Sequence, residues 1–576
     1  MNGWRNWIEK THSKTFELRR HFFLRFFDSD LVSTPGQWRV VAGGILAVLL
    51  SFGTPFTQAY YHKYTELNSL PTGDPFRLSV LADALFVITL SMLLAGLLTT
   101  MQWPSLFPGL RDYLALAALP VRMRDLFIAK FTALAAFATV FIVSTNTLPS
   151  VILPGVMSAA PYGLHNFIQV PAFFVSSCLA AFFVVFTLIA TQGLLLNLLP
   201  IRAFSGISLA AQGVLLMTFL CGLPLVFSVP NLYVFMDNRP LWAFYVPPLW
   251  FLGLHQAIAG NHEPFAIRLA FLAVGGCLGA AFAAILAYLW SYRRHRVRVL
   301  ESPSVGEAPA REWFEQAARN VVRDPREFAV FVFVGKTLAR SRQHRLVLTA
   351  FAALAIALVF ESFVSVAVSH TFRNFSTSSP AVRQAVISAP LALSLFVLAG
   401  FRYLFRLPVE LRANWIFRTV EAGNQKPLLT GVEKFLLWCG VGGVAITTLP
   451  FEIGMLGWRT GLAASVLCLV PSLALMEVLL MQFDKIPFTS SYLPGQQPVI
   501  QTLVIYGVAV LSYVTVLSGI IVWCIGHAGW AVALFAAMLA IWIRVRTGRL
   551  SNLEVGRLEF EERMEPPVYT LSIEKD

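Results

Sequence analysis

The chain has 576 residues, of which 57% are hydrophobic and 13% charged, with 44 basic against 31 acidic side chains. A soluble domain carries about 25% charged residues, so this composition excludes a soluble enzyme and a disordered scaffold. The net charge of +13 then points to basic loops beside a membrane rather than to a nucleic-acid surface.

Taken in chain order, the first element is an amphipathic segment from Trp4 to Phe27. Trp4, Trp7, Phe16, Phe22, Phe23, Phe26 and Phe27 alternate there with Lys10, Lys14, Arg19, Arg20 and Arg25. Such a pattern lies flat at lipid headgroups. It lacks the apolar core of a cleaved leader, so the first span is expected to serve as an uncleaved insertion signal. About twelve apolar runs follow, each long enough for a membrane helix: 38–57, 77–100, 127–151, 168–197, 206–229, 266–290, 346–369, 383–405, 433–453, 459–482, 499–523 and 525–544. The expected fold is all-α and polytopic. The segment 241–260 is aromatic, broken by Pro247 and Pro248, and too short to cross. It reads as an interfacial or re-entrant helix, with Trp242, Tyr245 and Trp250 at headgroup level.

Charge tests this count. With twelve spans both termini share one side, and that side holds 37 of the 44 basic residues. Only Lys63, Arg77, Arg239, Arg268, Arg373, Arg383 and Arg459 fall on the other. The positive-inside rule therefore places both termini in the cytoplasm. The compact loops fit a prokaryotic inner membrane.

The chain also repeats itself. Gln37, Arg39, Phe22 and Phe27 match Gln343, Arg345, Phe328 and Phe333 at one offset, 306. Leu119-Pro120-Val121 matches Leu407-Pro408-Val409 at offset 288, and AAILA at 283–287 matches AAMLA at 536–540 at offset 253. The expected organisation is a six-span half over 1–300, a linker at 301–309, a second six-span half over 310–550 and a tail at 551–576. Six is even, so the halves are parallel repeats.

Each half thus has an amphipathic opening, two spans, a basic Leu-Pro-Val loop and four further spans. The first adds the interfacial segment before its sixth span. This arrangement, with ALPVRMRDLFIAK at 118–130, resembles a half of an ATP-binding-cassette type-2 exporter permease. The resemblance implies that the loop between spans two and three docks on a separate nucleotide-binding subunit. It nominates Arg111, Asp112, Leu119, Pro120, Arg122, Arg124 and Asp125, and in the second copy Leu407, Pro408, Arg412, Asn414 and Trp415. ATP and magnesium would then bind the partner, with no cofactor in this chain. The chain departs from that pattern by carrying both halves in one polypeptide, and its second half lacks most of the interfacial segment.

The chain itself carries no ATPase signature. Val334-Gly335-Lys336-Thr337 mimics the end of a phosphate-binding loop, but Val330 stands where the first glycine is required. The six cysteines are scattered through apolar runs without metal spacing, and the histidines form no ligand pair. Three acidic residues stand out inside the spans: Asp83, Glu361 and Glu477. Each either lines an ion or substrate path or meets a buried polar partner. The leading expectation is the membrane subunit of an ATP-driven exporter. A secondary transporter using Asp83 or Glu361 is the runner-up, and a membrane scaffold the third reading. Spans poor in charge lean toward a lipid or amphipathic substrate.

Overall fold

The computed structural model describes residues 16, 18–23, 60–67, 74–108, 123–158, 166–226, 241–298, 312–369, 379–405, 407, 426–481, 483, 486–489 and 507–555. It is 92% helical, without a strand among the described residues. Eleven described helices are long and apolar enough to cross a bilayer, so the chain is an all-α polytopic membrane protein. They coincide with eleven of the twelve predicted runs. The first run, 38–57, lies outside the described residues.

The chain divides into two compact units, residues 1–306 and 307–576. In the first, the spans are α1 (Asp74–Met101), α2 (Met123–Ser158), α3 (Asn166–Leu198), α4 (Ile201–Leu225) and α6 (Pro264–Arg298). The short α5 (Pro247–Ile258) precedes α6. At 1.5 Å per residue its 12 residues reach about 18 Å, too little to cross. α3 is the centre, packing on α1, α2, α5 and α6. Ser176, Ser177, Ala180 and Ala181 on α3 are fully buried, because small side chains let helices approach closely where lipid offers no hydrophobic drive. At Gly193 a Cβ would lie 2.6 Å from that of Ala287 on α6.

The second unit opens with two short helices, α7 (Glu312–Val321) and α8 (Pro325–Arg340). Asp324 caps α8 by accepting from the Arg326 amide at 2.7 Å, and Pro325 takes the first helical position, where a missing N–H costs nothing. Its spans are α9 (Arg342–Ser369), α10 (Pro380–Leu404), α11 (Lys426–Phe435) running through a π-helical turn into α12 (Gly443–Leu456), α13 (Trp458–Leu480), a second π-helical turn (Val510–Val516) continuing as α14 (Leu517–Ile525), and α15 (Ala528–Val555). Here α10 is the centre, packing on α9, α12, α13 and α14.

Numbering the spans of each repeat from one to six, the same six pairs pack in both units. Two meets three (α1 with α2, α10 with α12) and four meets five (α3 with α4, α13 with α14). Two meets four (α1 with α3, α10 with α13) and three meets four (α2 with α3, α12 with α13). Four meets six (α3 with α6, α13 with α15), and two meets five (α1 with α4, α10 with α14). The interfacial helix has no described counterpart in the second unit, where α14 turns directly into α15 at Gly526 and His527. In the first unit Trp242 and Tyr245 are exposed. Trp250 instead turns inward, donating to the Phe244 carbonyl at 2.9 Å and meeting the Phe183 ring edge-on.

Candidate functional site

In each unit, described side chains cross-link the end that carries its basic loops. In the first unit, α1 closes with a 3-10 turn, Trp103–Ser105, just before the Leu-Pro-Val loop. Trp103 and Leu106 are fully buried. The Trp103 indole N–H donates to the Ser208 hydroxyl on α4 at 3.0 Å. Gln192 on α3 donates to the Trp103 carbonyl at 2.6 Å, Gln212 on α4 to the Thr100 carbonyl at 3.0 Å, and Tyr288 on α6 to the Leu106 carbonyl at 2.7 Å. The carbonyls that a helix end leaves without intrahelical partners are thus satisfied by side chains from three other spans. On the far side of the loop, Lys130 of α2 is buried with its ammonium 4.9 Å from the centre of the Phe22 ring. Phe22 therefore packs on α2 within its first three turns after the same loop.

In the second unit aromatic packing does this work. Phe401 and Phe405, at the end of α10, together with Leu407, are buried against α8, α11 and the segment after α13. Phe488 is wholly buried with φ of 66°, and its amide donates to the Phe405 carbonyl at 3.1 Å. A bulky residue in that left-handed region is strained and needs its surroundings to hold it. The Phe405 ring on one side and His344 on the other, at 5.6 and 5.0 Å, supply that hold. Phe483 and Phe488 thus pack over the Phe405 end of α10.

Beside it lies a buried ion cluster. Arg549 on α15 donates through Nε to Glu477 on α13 at 2.6 Å and through Nη2 to Glu433 on α11. Arg546, one turn earlier, reaches Glu433 at 3.2 Å and Glu477 at 3.9 Å. Arg549 is 3% exposed and Glu477 0%, whereas Arg546 is 40% exposed. Two carboxylates and two guanidiniums cancel in charge, which is what allows them to be buried. The cluster ties spans three, four and six of this unit together. Salt bridges Glu327–Lys434 and Glu315–Lys336 extend it over α7, α8 and α11. Lys336 of the false phosphate loop is therefore a structural pair on a helix, and it holds the Glu315 carboxyl below the usual range.

Two acids sit toward the opposite end. Asp83 on α1 is 2% exposed and accepts from Lys63 at 2.7 Å and from the Tyr64 hydroxyl at 2.6 Å. Burial and that negative charge push the Tyr64 hydroxyl well above its usual range. Glu452 on α12 is fully buried with Ser465 Oγ 2.5 Å away.

Of the residues nominated by sequence, Asp83, Arg124, Asp125, Glu361, Leu407 and Glu477 lie among the described residues. Arg124 is exposed and Asp125 half-buried in the first turn of α2, where a carboxylate suits the helix dipole. Leu407 is buried in the aromatic platform. Arg111, Asp112, Leu119, Pro120, Arg122, Pro408, Arg412, Asn414 and Trp415 lie outside the described residues. Asp83 and Glu477 both meet polar partners: Lys63 and the Tyr64 hydroxyl for Asp83, Arg549 for Glu477. Glu361 is half-buried and has no hydrogen-bond or ionic partner among the described residues. The sequence reading missed Glu433, Glu452 and the pairing role of Arg546 and Arg549. The spacing of those arginines, three apart near the end of the last span, was the available signal.

No protein-family description, curated protein or solved structure matches the chain.

Proposed function

We propose that the chain is the membrane-spanning subunit of an ATP-driven exporter, with its two Leu-Pro-Val loops docking a separate nucleotide-binding subunit. One observation carries the reading. In both units the residues at the start of that loop or just before it are buried and held: Trp103 and Leu106 in the first by side chains from other spans, Phe405 and Leu407 in the second by a buried aromatic cluster.

A loop that passes force from a docked ATPase into a bundle must be stiffly joined to that bundle. Motion of the first loop would act at once on α3, α4 and α6 through Gln192, Ser208 and Tyr288. Motion of the second would act on α8, α11 and the segment folded under Phe488, and the neighbouring ion cluster would carry it into α13 and α15. Arg111, Arg122 and Arg124, with Arg412 in the second copy, supply basic charge for an acidic docking face. ATP and magnesium belong to the partner, and this chain has no catalytic residue in the scheme. The cargo is lipid-like or amphipathic, in keeping with the charge-poor spans, and the setting is a prokaryotic inner membrane with both termini in the cytoplasm.

The test is ATP hydrolysis by the complex isolated in mild detergent. Charge reversal at Arg124 and Arg412 should release the hydrolysing subunit and leave the chain itself folded. Retention of a fully active complex by the doubly reversed chain would refute the docking assignment.

A further inference from the structure

We infer that Glu452 is a membrane-buried proton-binding site in the second unit. The side chain is wholly inaccessible within a membrane span, and its Oε1 has no hydrogen-bond partner among the described residues. An ionised carboxylate in that position needs a countercharge, and none of the described residues supplies one. The groups facing it are Thr448 one turn earlier on α12 and Ser465 and Cys468 on α13. Arg459 on α13 lies over the Trp458 ring at 5.0 Å, and Arg383 on α10 lines a neighbouring cavity. Neither forms a salt bridge with Glu452. This distinguishes it from Asp83 and Glu477, each held by a cation.

Counting protons points the same way. Ser465 Oγ lies 2.5 Å from Glu452 Oε2 and 3.0 Å from the Gly461 carbonyl oxygen. A hydroxyl has one proton, and it cannot serve two acceptors well. If the carboxyl carries a proton, both bonds are made: Glu452 donates to Ser465, and Ser465 donates to Gly461. If the carboxyl is ionised, one of the two is lost.

The backbone is arranged to hold this chain closed. At Gly461 a Cβ would fall 2.9 Å from the Ile453 backbone, so α13 presses directly on α12 beside the carboxyl. A cavity of about 140 Å³ is lined by Met455, Leu456, Thr460, Ile387 and Arg383. Met455 and Leu456 sit one turn beyond Glu452 toward the Gly457 turn. The cavity has room for several waters and polar groups to hold them. Release of the proton puts an uncompensated charge at the α12–α13 crossing, so this contact loosens on deprotonation. The site stands whether ATP or an ion gradient drives the protein.

The experiment uses the full chain in detergent and dicyclohexylcarbodiimide, which modifies protonated carboxyls in apolar surroundings. Mass spectrometry should find Glu452 modified at neutral pH, with labelling falling several-fold as the pH is raised and Glu477 unmodified. Glu452→Gln, whose amide donates to Ser465 as the acid does, should abolish that labelling and leave thermal stability unchanged. The infrared difference between wild type and Glu452→Gln should contain the C=O stretch of a carboxylic acid. A difference spectrum showing only carboxylate bands would overturn the assignment. Protection of Glu452 by sodium chloride at constant ionic strength would also overturn it, making a metal cation the occupant.

Discussion

Replacement of Arg549 by alanine should be among the most damaging single changes in the second unit. Arg549 is 3% exposed and bonds two carboxylates that are themselves 7% and 0% exposed. Removing one partner of a buried pair costs about 3–5 kcal/mol, because the other charge stays buried alone. Arg546 remains 3.2 Å from Glu433 but 3.9 Å from Glu477, so Glu477 bears most of that penalty. Arg546 is 40% exposed, and its own removal should cost only ~0–1 kcal/mol, as for surface pairs. At about 2–4 °C per kcal/mol, Arg549→Ala should lower the apparent Tm by on the order of 10 °C and Arg546→Ala by roughly 2 °C. Thermal unfolding in detergent, followed by a thiol-reactive dye, measures this, since Cys468 and Cys524 are buried in the same unit. The combined Arg549→Met, Glu433→Leu, Glu477→Leu variant should recover much of the loss, because an apolar replacement of the whole cluster strands no charge. Equal, small losses for the two arginines would refute the reasoning.

Three further outcomes follow from the packing and the buried groups. Lys63→Met should destabilise the first unit more than Asp83→Asn, since only the former strands a buried charge, with Tyr64 its remaining partner; thermal unfolding of the pair ranks them. Gly253→Ala should cost about 1–3 kcal/mol as an overpacked contact, because its Cβ would lie 2.4 Å from the Leu269 Cβ and 2.9 Å from the Ala266 carbonyl oxygen; the same assay reads it. His255 in α5 is fully buried, and burial holds its imidazole down to about 4. Between an ordinary pKa near 6.5 and that value the unfolded chain takes up the proton first, so stability falls as pH falls through this window, by roughly 3 kcal/mol for this group. His255→Leu should flatten that part of the pH–stability profile.

The spans and their order were legible because a bilayer crossing needs about 20 apolar residues in a row, a strictly local property. The same holds for α5, whose prolines and length keep it from crossing. Position within the bundle was less legible. Glu477 and Arg549 are 72 residues apart, and Glu433 and Arg549 are 116 apart. No local pattern joins them, and only the packing of span three on four and of four on six brings them together. Lys63 was legible as a lone basic residue away from the basic loops, but its partnership with Asp83 depends on how residues 60–67 fold back on α1. Glu452 was overlooked because it sits four residues from the end of its span, where an acid is usually within reach of water. The close crossing at Gly461 removes that access.

In the proposed exporter, force enters this bundle through the two basic loops from an ATP-hydrolysing subunit. The most direct measurement is substrate-independent ATP hydrolysis by the complex purified through a tag on this chain, compared with the Arg124→Glu, Arg412→Glu variant. The wild-type chain should carry a stoichiometric nucleotide-binding polypeptide and ATPase activity, both lost in the variant while its Tm is retained. A wild-type chain that purifies alone and moves its cargo in liposomes under an ion gradient without ATP would contradict it.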